Sequence, residues 1–173
     1  MNSDAFFIEN CYADNESVKC GVGFKKFFYK SQKNEFKAVF PIFLDEKLKE
    51  VNSFILKLIN EYSTYSSKTY CKKIILTFTS KKNSVLSLVL EVFYREGKKV
   101  KGLNFDLTTM MLFMTNSFFK VIKIKKKYLK DIAKKLEKNI TVIYDSAHIF
   151  NDKLRFFCIK KSNKELVEFK IPI

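Results

Sequence analysis

Apolar and charged residues partly alternate over 22–30 (Val-Gly-Phe-Lys-Lys-Phe-Phe-Tyr-Lys) and again over 35–43 (Glu-Phe-Lys-Ala-Val-Phe-Pro-Ile-Phe), with the polar stretch 31–34 between them. A period of two sends successive side chains to opposite faces of an extended strand, so the two segments read as a hairpin. The period then changes. Leu48, Val51, Ile55, Leu58 and Ile59 recur at helical spacing to about Tyr62, behind Asp45, whose carboxylate suits an N-cap, and the polar run 63–68 breaks the pattern.

β-branched and aromatic residues return over 73–79 and 85–94 around a turn at Ser80–Asn83. A third run, 100–105, follows a loop at Glu96–Lys99, giving a three-stranded meander. Asp106 then heads the apolar run 107–122, read as a helix whose Met110, Met111, Phe113, Met114, Phe118 and Phe119 leave no polar side. Such a helix is expected to be buried, in the core or between two copies of the chain. A second helix, about 125–138, sets Tyr128, Leu129, Ile132, Ala133 and Leu136 on one side and Lys126, Lys127, Lys130, Lys134 and Lys138 largely on the rest. Strands follow at 140–144, 153–161 and 166–171.

This order is that of an α+β fold: antiparallel sheet with one face open and the other packed against apolar helices. Residues 20–62 and 72–122 share a succession of lysine-turned hairpin, further chain and Asp-led helix, which reads as a duplicated strand-strand-strand-helix unit. With four glycines, two prolines and no Gly/Ser-rich linker, one domain is expected over 1–173.

Charge narrows the function. The 33 Lys and Arg against 18 Asp and Glu give a net charge of +15, which draws a chain to polyanions. Arg95 and Arg155 are the two arginines, so 31 of the 33 basic residues are lysines. Lysine offers a point charge to phosphate, whereas arginine reads guanine edges bidentately, so sequence-tolerant contact is expected. An AT-rich genome, viral, plasmid or protist, accounts for Lys over Arg but not for the excess of positive over negative charge.

Cys11, Cys20, Cys71 and Cys158 are scattered without a C-x-x-C pair, so neither a zinc site, a redox pair nor any cofactor is expected. The first residues lack a basic segment followed by a long apolar one, and the run 107–122 is short and broken by Thr108, Thr109, Thr115, Asn116 and Ser117. An intracellular chain, cytoplasmic or nuclear, that is neither secreted nor membrane-bound is the expectation.

The segment 72–122 (KKIILTFTSKKNSVLSLVLEVFYREGKKVKGLNFDLTTMMLFMTNSFFKVI) resembles the single-stranded-DNA-binding transcriptional coactivators typified by positive cofactor four, with the plant Whirly proteins as larger relatives. The likeness lies in a strand ending at Lys81 and Lys82, a Val-Leu strand closing on Glu91, Phe93 and Tyr94, a polar Gly-containing loop, and the strand Lys101-Gly102-Leu103 before an apolar helix. It implies that Lys81, Lys82, Phe93 or Tyr94, and Lys101 hold a single strand and that the helix 107–122 mediates dimerisation. The family also has a basic residue three positions before the strand-end aromatic, where this chain has Leu90.

The residues carry the same chemistry without the likeness. Unpaired bases stack on aromatic rings at about 1–3 kcal/mol each while lysines collect the backbone. Lys25, Lys26, Phe28, Tyr29 and Lys30 in the first hairpin, and Lys98, Lys99 and Lys101 beside Phe93 and Tyr94, provide both components. His148 reads as a loop histidine, and Glu96-Gly97-Lys98 as a turn rather than half of a nuclease metal site. The expected function is therefore non-enzymatic, sequence-tolerant binding of single-stranded DNA in replication or transcription. RNA binding, or a protein-interaction subunit of a polymerase or virion complex, are the alternatives.

Overall fold

Alternating segments at the start of the chain pair as expected. A computed structural model describes residues 5–11, 21–30, 35–69 and 71–173, with side chains given for 21–27, 35–63 and 71–173. Strand β1 (Ala5–Cys11) runs antiparallel to β2 (Val22–Lys30), which runs antiparallel to β3 (Glu35–Phe43) with Phe27 opposite Ala38. Asp45 caps a single 3-10 turn at Glu46–Leu48, its carboxylate accepting from the Lys47 N–H at 3.0 Å. The α-helix α1 (Lys49–Thr69) follows. It continues past the expected break at 63–68 and absorbs polar groups locally, as where Ser63 donates to the Asn60 carbonyl at 2.9 Å.

Helix α1 connects β3 to β4 (Cys71–Lys82), and these two strands pair in parallel, with Lys37 opposite Lys73 and Val39 opposite Ile75. A parallel pair requires a crossover of this kind, whereas two-residue turns can make only antiparallel ones. Strands β5 (Val85–Tyr94), β6 (Gly97–Asp106) and β7 (Met111–Leu112) follow. Hydrogen-bonded order is β1-β2-β3-β4-β5-β6-β7 in one sheet and β10-β9-β8 in the other. Contacts divide the chain into two compact units, residues 1–77 with 90–99 and residues 78–89 with 100–173.

In the first unit Val51, Ile55 and Ile59, spaced along one stripe of α1, are buried together with Phe36, Ala38, Phe40, Ile74 and Leu76 from β3 and β4. Asn52 fastens helix to strand: its side chain accepts from the Phe43 N–H at 2.9 Å and donates to the Phe43 carbonyl at 2.8 Å.

The second unit holds β8 (Ile140–Phe150), β9 (Lys153–Lys160) and β10 (Leu166–Pro172) as an antiparallel sheet, with helices α2 (Thr115–Val121) and α3 (Lys126–Leu136). Its core joins Phe118, Phe119, Leu129, Ala133, Ile149, Leu154, Phe156, Cys158 and Phe169. Strand β8 extends beyond the expected 140–144 by means of an irregularity between Ile143 and His148.

The expected helix over 107–122 is corrected. Asp106 does not cap a helix; its carboxylate accepts from the Thr108 N–H at 2.8 Å, a bond that holds its pKa below the ordinary value. That turn, the β-branched Thr108 and Thr109, and Met110 at φ 57° divert the backbone into β7, and only 115–121 is helical. Phe118 and Phe119 are buried in the unit's own core, while Met111 and Met114 are 69% and 79% exposed, so the segment is not one helix that is apolar all round. The second half of the supposed duplication accordingly lacks its Asp-led helix.

Candidate nucleic-acid interface

Strand alternation separates two faces of the first unit's sheet. The face toward α1 holds the buried Phe36, Ala38, Phe40, Ile74 and Leu76. On the opposite face Lys26 stands across from Val39, Val39 across from Ile75, and Lys37 across from Lys73. All five are half-buried or exposed, which leaves this face open.

Phe93 of β5 belongs to the open face. Lys73 Nζ lies 5.7 Å and Lys98 Nζ 5.6 Å from its ring centroid. Lys98 also contacts Glu91 Oε1 at 2.6 Å, and Glu91, two residues before Phe93, shares its side of the strand. Lys37 contacts Glu35 at 2.5 Å. Among the described side chains, the face thus carries Lys26, Lys37, Lys73 and Lys98 together with the Phe93 ring, and Glu35 and Glu91 engage Lys37 and Lys98. Cation–π contacts at exposed positions are worth about 0.5–1 kcal/mol, and surface ion pairs about 0–1 kcal/mol. A phosphate can therefore draw these lysines off at small cost and uncover the ring.

The expected site residues are distributed differently from the sequence reading. Lys25 and Lys26, adjacent in sequence, lie on opposite faces: Lys25 is across from the buried Phe40. Phe93 and Tyr94 are divided in the same way. Tyr94 has Lys99 Nζ at 5.3 Å from its ring, and burial, then Cys71, raises its phenol pKa; the pKa of Tyr62 on α1 is raised by burial and then by Tyr94. Tyr94 and Lys99 each follow a residue of the open face by one position and so belong to the other face.

Lys98 and Lys99 are strand rather than loop residues. The β5–β6 turn is confined to Arg95 and Glu96, with Gly97 at φ 150° admitting a backbone that other residues avoid. Lys81 and Lys82 end β4 in the second unit, before a turn at Asn83 and Ser84, both at positive φ as a two-residue hairpin turn demands. Lys82 pairs with Asp152 at 2.6 Å, and Lys101 is exposed on β6. The side chains of Phe28, Tyr29 and Lys30 lie outside the described residues. Lys37 and Lys73 carry no local signal in the sequence, because only the parallel register between two distant segments brings them together.

His148 is in strand β8, not a loop. It is fully buried, its Nδ1 is 2.9 Å from the Ser146 carbonyl, and its ring stacks on Phe157 at 6.4 Å. Arg155 is engaged bidentately by Glu168, through Nε at 2.5 Å and the terminal nitrogen at 2.7 Å, and lies 4.7 Å from the Phe150 ring centroid. Among the described residues no group of three or more His, Cys, Asp or Glu is placed to hold a metal ion, and no helix is long and apolar enough to cross a membrane. No family model matches the chain, and no curated protein or solved structure is significantly similar to it.

Proposed function

We propose that the chain binds single-stranded nucleic acid, DNA in the first instance, without sequence preference, through the open face of the first unit, and that it serves replication or transcription by this binding rather than by catalysis. The observation that carries this reading is Phe93 beneath Lys73 and Lys98 on a face that also bears Lys26 and Lys37. A base stacks on the ring while the lysines take the flanking phosphates. The resemblance of 72–122 supports the same chemistry through Phe93, while its Lys81, Lys82 and Lys101 belong to the second unit. In the position of its dimerisation helix this chain has the shorter helix Thr115–Val121.

Fluorescence anisotropy of a labelled oligonucleotide tests the assignment. Stacking worth about 1–3 kcal/mol makes Phe93→Ala bind about 5- to 150-fold more weakly, with Lys73→Ala and Lys98→Ala each losing less. Unchanged affinity in Phe93→Ala would refute the stacking face.

A further inference from the structure

The second unit carries a concavity outside the face just described. Lys130 and Lys134 of α3, Ile140, Thr141, Val142 and Tyr144 of β8, and Lys161 line a groove of about 340 Å³. Lys130 and Lys134 are one helical turn apart, where like charges repel. Lys161 comes from the chain just after β9 and is fixed there by its backbone N–H, which donates to the Asn139 carbonyl at 2.9 Å. The lining contains no carboxylate. Glu137 and Glu165 are engaged by Lys160, at 3.5 and 3.4 Å. One wall is aromatic, for Tyr144 packs edge-on against Phe119 at 6.3 Å and lies under Lys126 Nζ at 5.0 Å.

A solvated helix face spreads its charges outward. Here three lysines instead line one concave surface that also carries Ile140, Val142 and Tyr144. An anion bearing several negative charges, such as a run of phosphates, relieves that repulsion better than a single carboxylate. We infer that the α3–β8 groove is a second binding site for the phosphodiester backbone of a single strand, with Tyr144 against the sugar or base. The inference rests on the nucleic-acid reading and adds to it a second contact with the backbone.

The salt dependence of affinity counts such contacts. Each phosphate neutralised on a single strand contributes about −0.7 to the slope of log K against log salt. The triple variant Lys130→Ala, Lys134→Ala, Lys161→Ala is expected to bind with a slope shallower by about 2, at unchanged circular dichroism and melting temperature. A control triple, Lys127→Ala, Lys135→Ala, Lys138→Ala, removes equal charge from exposed positions on or just beyond the same helix and should leave the slope near wild type. Photocrosslinking of a halogenated-uracil oligonucleotide should recover the peptide that contains Tyr144. Wild-type protein that fails to bind single strands defeats both readings. Wild-type binding with a slope that the groove triple leaves unchanged, or that the control triple alters equally, overturns the groove alone.

Discussion

Gly102 on β6 approaches the backbone of β8 so closely that a methyl group has no room. A Cβ added there would lie 2.1 Å from the Ala147 carbonyl oxygen, 2.8 Å from its carbon and 3.2 Å from the Ser146 carbonyl carbon. Carbon and oxygen come into ordinary contact at about 3.3 Å, so Gly102→Ala requires a shift of about 1 Å between two backbones, neither a flexible side-chain end. The same Ala147 oxygen accepts from Asn104 Nδ2 at 2.8 Å. Asn104 Oδ1 accepts from the Ser87 hydroxyl at 2.7 Å, and Ser87 Oγ accepts from the Ile149 N–H at 3.3 Å. These groups are buried, so the displacement breaks into a polar network with no water to replace it. Overpacking costs about 1–3 kcal/mol and loss of a buried hydrogen bond about 1–3 kcal/mol, which together give about 2–6 kcal/mol. For a chain of this length that corresponds to a fall in melting temperature of about 4–24 °C. Urea denaturation followed by circular dichroism reads the effect. Gly23→Ala is the control: its added Cβ meets nothing nearer than the Ile42 carbonyl at 3.8 Å, so its cost should stay within about 1 kcal/mol. A Gly102→Ala protein with the wild-type urea midpoint would refute the argument.

Asn52→Ala removes both bonds to Phe43 and leaves two backbone groups without their partners, an expected loss of about 1–3 kcal/mol in the same urea assay. The hydrogen bonds from Arg155 hold the Glu168 carboxyl below its ordinary value of 4.5. The ion pair therefore stabilises the fold above the unfolded-state pKa, and that contribution is lost as pH falls through the lower folded-state value. Glu168→Gln should cost about 1 kcal/mol at pH 7 and flatten the decline in stability below about pH 5, read from urea midpoints across a pH series. Burial pushes the Cys158 thiol up to about 11, so little reactive thiolate forms at pH 8. Alkylation mapped by mass spectrometry should spare Cys158 in the native protein and modify it in urea, and rapid native labelling would contradict its burial.

The readable parts of the sequence were those in which local chemistry and tertiary context agree. The hairpin 22–30/35–43 and the Asp45 cap each depend on a few adjacent residues, and the structure places them at those positions. The run 107–122 misled because apolar content without a polar stripe does not distinguish a buried helix from a turn, a two-residue strand and a short helix packed into one core. At the candidate site the Phe93 ring and Lys98 were legible from the aromatic strand end. Their grouping was not: alternation sends Lys25, Tyr94 and Lys99 to the other face, and Lys37 meets Lys73 only because α1 returns β4 parallel to β3. A run of lysines in sequence is thus a poor guide to a surface, because in a strand every second one belongs to the other face.

The central claim, that the open face bearing Phe93 and lysines receives unpaired bases, is tested most directly by comparing a single strand and a duplex of equal length for wild-type affinity across a salt series. Tight single-strand binding is expected to persist at about 150 mM salt while duplex binding fades, since stacking is not screened and needs an unpaired base. Equal affinity for the two forms, falling together to nothing as salt rises, would contradict it and reduce the +15 charge to an unspecific attraction.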